Sequence, residues 1–262
     1  MSFSNKIRGL REIWAFDNRA WLVVTRTLFP RENLQIYRYK GLDILTDTHG
    51  GDANGAREVL TSPMYRKYFP LMKLDGLLNV LDLGANNGGF PLLLASSGFK
   101  LKKVVSVEFN PKTFVRLHFN LLRNLQGVAV PLNMALCGED TTLNVSIGEG
   151  SVSDSIYEQN SDSGAETYQI AGKSFDSLYK EYFDGETVDI CKIDVEGAEF
   201  DVFKQPLHSM LVNCRYLLIE IHEHEGRDKN DVLSIVENLG FVRQEMGTDG
   251  DPWVHFFVNS RI

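Results

Sequence analysis

The twelve residues from Asn79 to Phe90 (NVLDLGANNGGF) restrict the fold of this chain more than any other stretch. Val80 to Leu83 reads as a buried strand, and the small residues from Gly84 to Gly89 form the turn beyond it. Pro91 to Ser97 then reads as a helix that packs back on the sheet. A strand, a glycine turn and a helix N-terminus gather backbone N–H groups and a positive dipole end around a ligand. The next apolar run, Val104 to Phe109 (VVSVEF), is a second strand ending in a carboxylate, Glu108, placed 24 residues after Gly84. Doubly wound folds use an acid at this spacing to hold the ribose hydroxyls of an adenosine-containing cofactor.

The loop chemistry discriminates among such cofactors. A dinucleotide fingerprint, G-x-G-x-x-G, needs its second Gly so that the backbone can approach a pyrophosphate. Asn86 stands at that position and its side chain crowds a diphosphate. S-adenosyl-L-methionine carries no phosphate. It needs close backbone approach at its aminoacyl end and an acidic partner, such as Asp82, for its ammonium. The sequence therefore predicts this sulfonium cofactor along Asp82, Gly84, Ala85, Asn86, Gly88, Phe90, Glu108 and Phe109, and it disfavours NAD.

From residue 79 onward, strand-like runs alternate with helical periodicity, the pattern of a mostly parallel sheet covered by helices. Strands are expected at 79–84, 104–109, 127–132, 188–194, 215–221, 241–246 and 253–258. Helices are expected at about 88–97, 111–123, 174–183, 199–211 and 229–239. Gly247 to Pro252 (GTDGDP) alone separates the last two strands, so the final strand turns antiparallel. The fold class is α/β, a Rossmann-like seven-stranded sheet. Residues 148–164 read as an insertion over the site or a loop. Ahead of the sheet, residues 5–28 read as helical and Leu34 to Leu45 as a hairpin. A helix follows from Ala56, with Asp52 or Asn54 as its cap, and another short helical segment ends at Met72. The expected division is a cap and substrate-lid segment over 1–75 and a cofactor-binding domain over 76–262. His49, Asp52 and Asn54 lie in a glycine-rich loop, read as helix capping, with contact to substrate or cofactor as the alternative.

The strand Val188 to Asp194 leads into Val195-Glu196, and ligands in open α/β sheets lie beyond the carboxyl ends of the strands. Asp194 and Glu196 are thus expected beside the reactive end of the cofactor. The following strand carries Glu220, His222 and His224 at period 2, on one side while it stays extended. Methyl transfer from a sulfonium needs an oriented acceptor and, for a hydroxyl, a base. His222 is the first choice of base because imidazole titrates near working pH. Asp194 orients it or is itself the base. The competing reading is a divalent metal on Asp194, Glu196, Glu220 and His222, which is not favoured. Without a site role, Glu220 is a strand acid paired with Lys192. Asn133, Met134 and Ala135, at the end of the third strand, are candidates to flank an adenine, with core packing as the other reading of Met134.

A net charge of −8 and a pI near 5.3 argue against broad nucleic-acid binding. Residues 1–40 nevertheless hold eight Lys or Arg against three acids, a balance of +5, which leaves −13 for the rest. The same segment carries Trp14, Phe16, Trp21, Leu22 and Phe29. It is read as a docking helix whose charges face water, with a membrane surface as the lesser alternative and a homodimer contact open. No apolar run reaches membrane-span length, and no signal-peptide core is present. Cys137, Cys191 and Cys214 lack C-x-x-C spacing and read as thiols in a reducing compartment, so a cytoplasmic location is expected.

Read in order, VLDLGANNGGF, VEFNP, NMALCG, SFDSL, KIDVEGAE and LIEIHEH resemble the FkbM family of S-adenosylmethionine-dependent methyltransferases over about residues 80–258. KIDVEGAE followed by IEIH is the most family-specific pair; the first motif is shared by many methyltransferases. Tyr37 to Met64 also resembles the N-terminal part of some bacterial members. Two departures stand out: Phe175 where Leu is usual, and Asn87 in a slot often aliphatic. The resemblance implies a Rossmann-like methyltransferase. Characterised members mostly methylate hydroxyls of polyketides, sugars or lipo-oligosaccharides, and a few methylate amide nitrogen in peptides. The expectation is O-methylation of a small natural product or glycan. N-methylation of a peptide side-chain amide is the rival within the class, and a non-catalytic cofactor-binding interaction module the rival outside it. Acceptor identity does not carry across so varied a family.

Overall fold

The computed structural model describes residues 12–29, 31–48, 55–147, 166–204, 206, 208–222, 226–244 and 253–262. His49, Asp52, Asn54, His224, the 148–164 segment and the turn at 247–252 lie outside the described residues, as does the start of the expected N-terminal helix. Helix α1 (Arg19–Leu28), the hairpin β1 (Leu34–Tyr39) and β2 (Leu42–Asp47), helix α2 (Ala56–Thr61) and a 3-10 turn at Arg66–Leu71 come before the main sheet. There follow β3 (Leu77–Leu83), α3 (Gly89–Ser96), β4 (Lys100–Glu108), α4 (Pro111–Asn124), β5 (Ala129–Leu136), β6 (Thr141–Ile147) and β7 (Glu166–Lys173). The chain continues with α5 (Phe175–Tyr182), β8 (Val188–Ile193), α6 (Glu199–Lys204), β9 (Cys214–Glu220), α7 (Lys229–Asn238), β10 (Phe241–Gln244) and β11 (Val254–Asn259).

The main sheet has the order β10-β11-β9-β8-β3-β4-β5-β7-β6. Strands β9, β8, β3, β4 and β5 run parallel, and β11 is antiparallel to both its neighbours, as the short final connection requires. The expected seven strands are therefore present, and two more extend the edge. β7 pairs parallel to β5, and β6 antiparallel to β7. The alternation in Thr141 to Ile147 and in Glu166 to Gly172 was their sequence signal. This extension also lengthens the third strand beyond 127–132: Met134, Ala135 and Leu136 pair with β7, so they lie within the strand and not past its end.

Because strand side chains alternate, the sheet feeds two cores. Val80, Val104, Ile190, Leu218 and Phe256 pack with α3, α4 and the N-terminal residues Leu22, Tyr37, Leu60 and Tyr65. Leu81, Leu83, Val105, Cys191 and Leu217 pack with α5, α6 and α7 on the other face. The segment before residue 75 thus shares a core with the sheet.

Two helices are shorter than the periodicity suggested. Pro206 lacks the N–H a helix interior requires, so α6 ends at Lys204 and a separate 3-10 turn spans Ser209–Asn213. The helix expected over 5–28 is interrupted before Arg19. There the Asn18 side chain donates to Ile36 O at 2.8 Å and accepts from Arg38 N at 2.9 Å, fixing the chain to the hairpin. Among the described residues, no helix is long and apolar enough to cross a membrane.

Candidate active site

The glycine turn lies at the carboxyl end of β3, where the chain crosses to β4 on one side and the sheet continues through β8 on the other. Its backbone is tightly committed. Gly84 N and Ala85 N both donate to Val107 O, at 3.0 and 2.8 Å, and Asn86 N donates to Glu108 Oε2 at 2.8 Å. Asn87 N donates to Asn86 Oδ1 at 2.7 Å, and Gly88 N to Ala85 O at 2.9 Å. Each N–H from 84 to 88 is therefore spent on the turn itself or on β4. Gly84 is obligatory for a second reason: at φ +75°, a Cβ there would stand 1.6 Å from Asp194 O. Asn86 also takes positive φ, 49°, a conformation that Asn tolerates better than most residues.

Asn87 explains one of the two family departures. Its buried Oδ1 accepts from Ala56 N at 2.7 Å, capping α2, and its carbonyl accepts from Asn120 Nδ2 at 2.8 Å. An aliphatic residue could do only the second. Asn120 also accepts from Leu45 N at 2.6 Å and donates to Leu45 O at 3.0 Å, so one buried amide ties hairpin, helix and turn together.

Beside the turn is a cavity of about 190 Å³. The turn contributes Gly84, Ala85 and Asn86 to it, the start of α3 contributes Phe90, the ends of β8 and β9 contribute Lys192, Asp194, Glu196 and Glu220, and the N-terminal segment adds Glu58 and Tyr65. Lys192 Nζ lies 3.0 Å from Asp194 Oδ2 and 3.6 Å from Asp82 Oδ1, and donates to Gly84 O at 3.0 Å. Burial works against its charge, but Asp194 and Asp82 outweigh burial and raise its pKa. The buried Tyr65 hydroxyl donates to Glu220 Oε1, and the Tyr65 ring meets Phe90 edge-on.

His222 follows β9. Its Nδ1 is 3.1 Å from Oε1 of the buried Glu199, while Nε2 is 3.6 Å from Glu196 Oε2 and 3.9 Å from Asp194 Oδ1. Burial opposes protonation, yet the Glu199 hydrogen bond and the Glu196 charge raise the imidazole pKa to about 9. The raised pKa favours the imidazolium form, in which both ring nitrogens donate. Burial and the Asp194 charge push Glu196 and Glu220 up to about 7. Glu196 also holds φ +51°, an uncommon conformation for a non-glycine residue. Asp194, Glu220 and His222 offer ligand atoms within 4.8 Å of one another.

The remaining sequence candidates lie apart from this cavity. Asp82 is fully buried beneath the turn; neither of its oxygens has a hydrogen-bond partner among the described residues, and burial raises its pKa to about 6. Glu108 ends β4 on the far side of β3, accepting from Asn110 N at 2.9 Å as well as from Asn86 N; burial lifts it to about 7. Next along the sheet, Asn133 Nδ2 donates to the carbonyls of Glu108 and Phe109, at 2.9 and 3.0 Å. Met134 is half-buried, Ala135 is buried in the strand, and Gly88 faces Leu117 and Leu121 of α4. Sequence reasoning missed Tyr65, Glu58 and Glu199 and gave Lys192 only a pairing role. Lys192, a cation inside a strand buried along its whole length, was the one legible signal.

The Methyltransferase FkbM domain family matches residues 82–246, more than half of the sequence. The chain belongs to the FkbM methyltransferase family. The solved FkbM methyltransferase from Methylobacillus flagellatus KT is 15% identical with a TM-score of 0.50; the match covers 75% of this chain and 47% of that one. This FkbM-family chain therefore spans about half the length of that relative, and at such identity the likeness is one of fold. TrmK of M. capricolum, solved with S-adenosyl-homocysteine, is 12% identical at a TM-score of 0.44, over 77% of this chain and 70% of that one. Aeropyrum pernix fibrillarin, solved with S-adenosyl-L-methionine, is 13% identical at 0.42, over 88% and 85%. No curated protein sequence matches this one.

Proposed function

We propose that this protein transfers the methyl group of S-adenosyl-L-methionine to a hydroxyl of a small natural product or glycan. One observation carries the reading: the N–H groups from Gly84 to Gly88 are all committed within the turn or to Val107 and Glu108 of β4. A pyrophosphate would find no donors there, which is the opposite of what a dinucleotide needs. A phosphate-free, cationic nucleoside suits the turn, because its ribose hydroxyls can donate to the remaining lone pairs of Glu108. Asp194 and Glu196 supply negative charge beside the reacting end. When bound, the cofactor supplies an electrophilic methyl on a sulfonium.

The chain's own groups then have distinct tasks. Asp194, fixed by Lys192, orients the acceptor hydroxyl. Glu196, with a pKa of about 7, takes its proton, and the His222 imidazolium 3.6 Å away keeps that carboxylate in place. Residues 1–75 act as the cap, closing the cavity with Tyr65 and Glu58, over the cofactor domain of 76–262. The three buried free thiols suit a reducing, cytoplasmic setting.

The close ligand atoms of Asp194, Glu220 and His222 support a second reading, a divalent cation that lowers the acceptor pKa. Lys192 already neutralises Asp194, so the metal-free route is preferred. Calorimetry with S-adenosylhomocysteine and NAD tests the cofactor: binding of the first alone is expected, and the reverse ranking would reject it. Turnover that survives EDTA supports the metal-free route, whereas loss of turnover restored by Mg²⁺ or Mn²⁺ supports the cation.

A further inference from the structure

Three tyrosine hydroxyls pin the segment before the sheet to the strands beside the cavity. Tyr68 Oη donates to Val254 O, at the start of β11, at 2.9 Å, and Tyr216 Oη on β9 accepts from Lys73 N at 2.8 Å. The third, Tyr65 Oη, donates to Glu220 Oε1. Tyr65 is buried, its ring centroid 5.2 Å from that of Phe90 and 5.9 Å from Lys192 Nζ. Glu220 is the last residue of β9, and among the described residues Tyr65 is the one hydrogen-bond partner of its side chain. One carboxylate oxygen is thus fixed, and the other is left for the cavity that Glu220 lines.

The ammonium and the phenol of this cavity are already spent on the protein. Lys192 directs its ammonium to Asp194 Oδ2, Gly84 O and Asp82 Oδ1, and Tyr65 has no second proton to give. Asp194, Glu196 and Glu220 therefore present acceptor oxygens to whatever enters, with atoms of Asp194 and Glu220 within 4.8 Å of each other. A carboxylate that loses its water needs a donor in return. A lone hydroxyl has one proton, which the proposed reaction assigns to Glu196. Glu220 then requires a second donor, and the short separation puts that donor on the neighbouring carbon. We infer that Tyr65 is a positioning residue that holds Glu220 as a second substrate-binding carboxylate, so that the substrate taken is a vicinal diol rather than an isolated hydroxyl. The inference rests on the proposed transfer to a hydroxyl and adds which hydroxyls are selected.

The test measures methyl transfer from S-adenosyl-L-methionine, by the full chain, to trans-cyclohexane-1,2-diol, to its monomethyl ether and to cyclohexanol. The wild-type protein should favour the diol over both others by roughly tenfold or more in kcat/KM. Tyr65→Phe keeps the ring but releases Glu220, so the preference for the diol should fall severalfold. Glu220→Gln still accepts from Tyr65 but offers an amide N–H to the substrate, which an ether oxygen accepts as well as a hydroxyl does. In that variant the preference for diol over ether should vanish. General damage to the site would lower transfer to all three probes together and leave the ratios intact. Equal use of the probes by the wild-type protein, or wild-type ratios in either variant, overturns the inference while hydroxyl methylation stands. Transfer to none of the three counts against hydroxyl methylation itself, and the inference falls with it.

Discussion

The imidazole Nδ1 of His222 lies 3.1 Å from Oε1 of Glu199, a carboxylate with no exposure to solvent. A buried acid on that nitrogen favours the imidazolium, so His222 stays charged until about pH 9. Glu196, at about 7, is the better-matched base. The two values predict a bell-shaped kcat/KM profile, rising as Glu196 loses its proton near 7 and falling as His222 loses its own near 9. Glu196→Gln should slow turnover by roughly 10²–10⁴ with cofactor binding intact. Glu199→Gln should move the alkaline limb to lower pH. A profile that only rises through pH 9 would return the base role to His222.

Glu108 anchors the turn, and the proposed function has it accept from the ribose hydroxyls as well. Glu108→Gln keeps the volume but loses the charge and part of the acceptor capacity. Calorimetry should show S-adenosylhomocysteine binding weakened by about 1.5–3 kcal/mol. Unchanged affinity would place the nucleoside elsewhere.

Gly84 has no room for a methyl group, because the carbonyl of Asp194 stands where a Cβ would be. Gly84→Ala must push β3 and β8 apart at their carboxyl ends. Denaturant unfolding is expected to show a loss of more than about 3 kcal/mol. Near-native stability would contradict this strand contact.

Asn87→Leu restores the aliphatic residue common in the family and removes the cap on Ala56 N. The expected loss is about 1–2 kcal/mol, with the N-terminal segment loosened first. Hydrogen exchange should show faster exchange in α2 than in the central strands. Uniform exchange would argue against this docking role.

The buried acids also set a pH trend for the cofactor-free protein. Glu108, Glu196 and Glu220 sit at about 7 in the fold against a usual 4.5, so the folded state binds their protons more tightly. Their contribution to stability is whole below about pH 4.5 and is lost as pH rises through about 7. Tm should therefore be higher near pH 5.5 than near pH 8, by about a few degrees. The opposite slope would mean that these carboxylates are not desolvated.

The sequence by itself determined the central strands, the turn at Gly84 and the acids delivered to the crevice. Apolar runs, glycines and period-2 placement are local signals that survive in any globular context. It also placed Asp194, Glu196 and Glu220, because all three follow from where a strand ends. Only the tertiary structure decided what surrounds those groups. Glu199 raises the His222 pKa from the start of α6, Tyr65 reaches Glu220 across 155 positions of chain, and α1 turns its apolar side outward. Charge state and exposure depend on which groups share a low-dielectric space, and spacing along a chain does not record that.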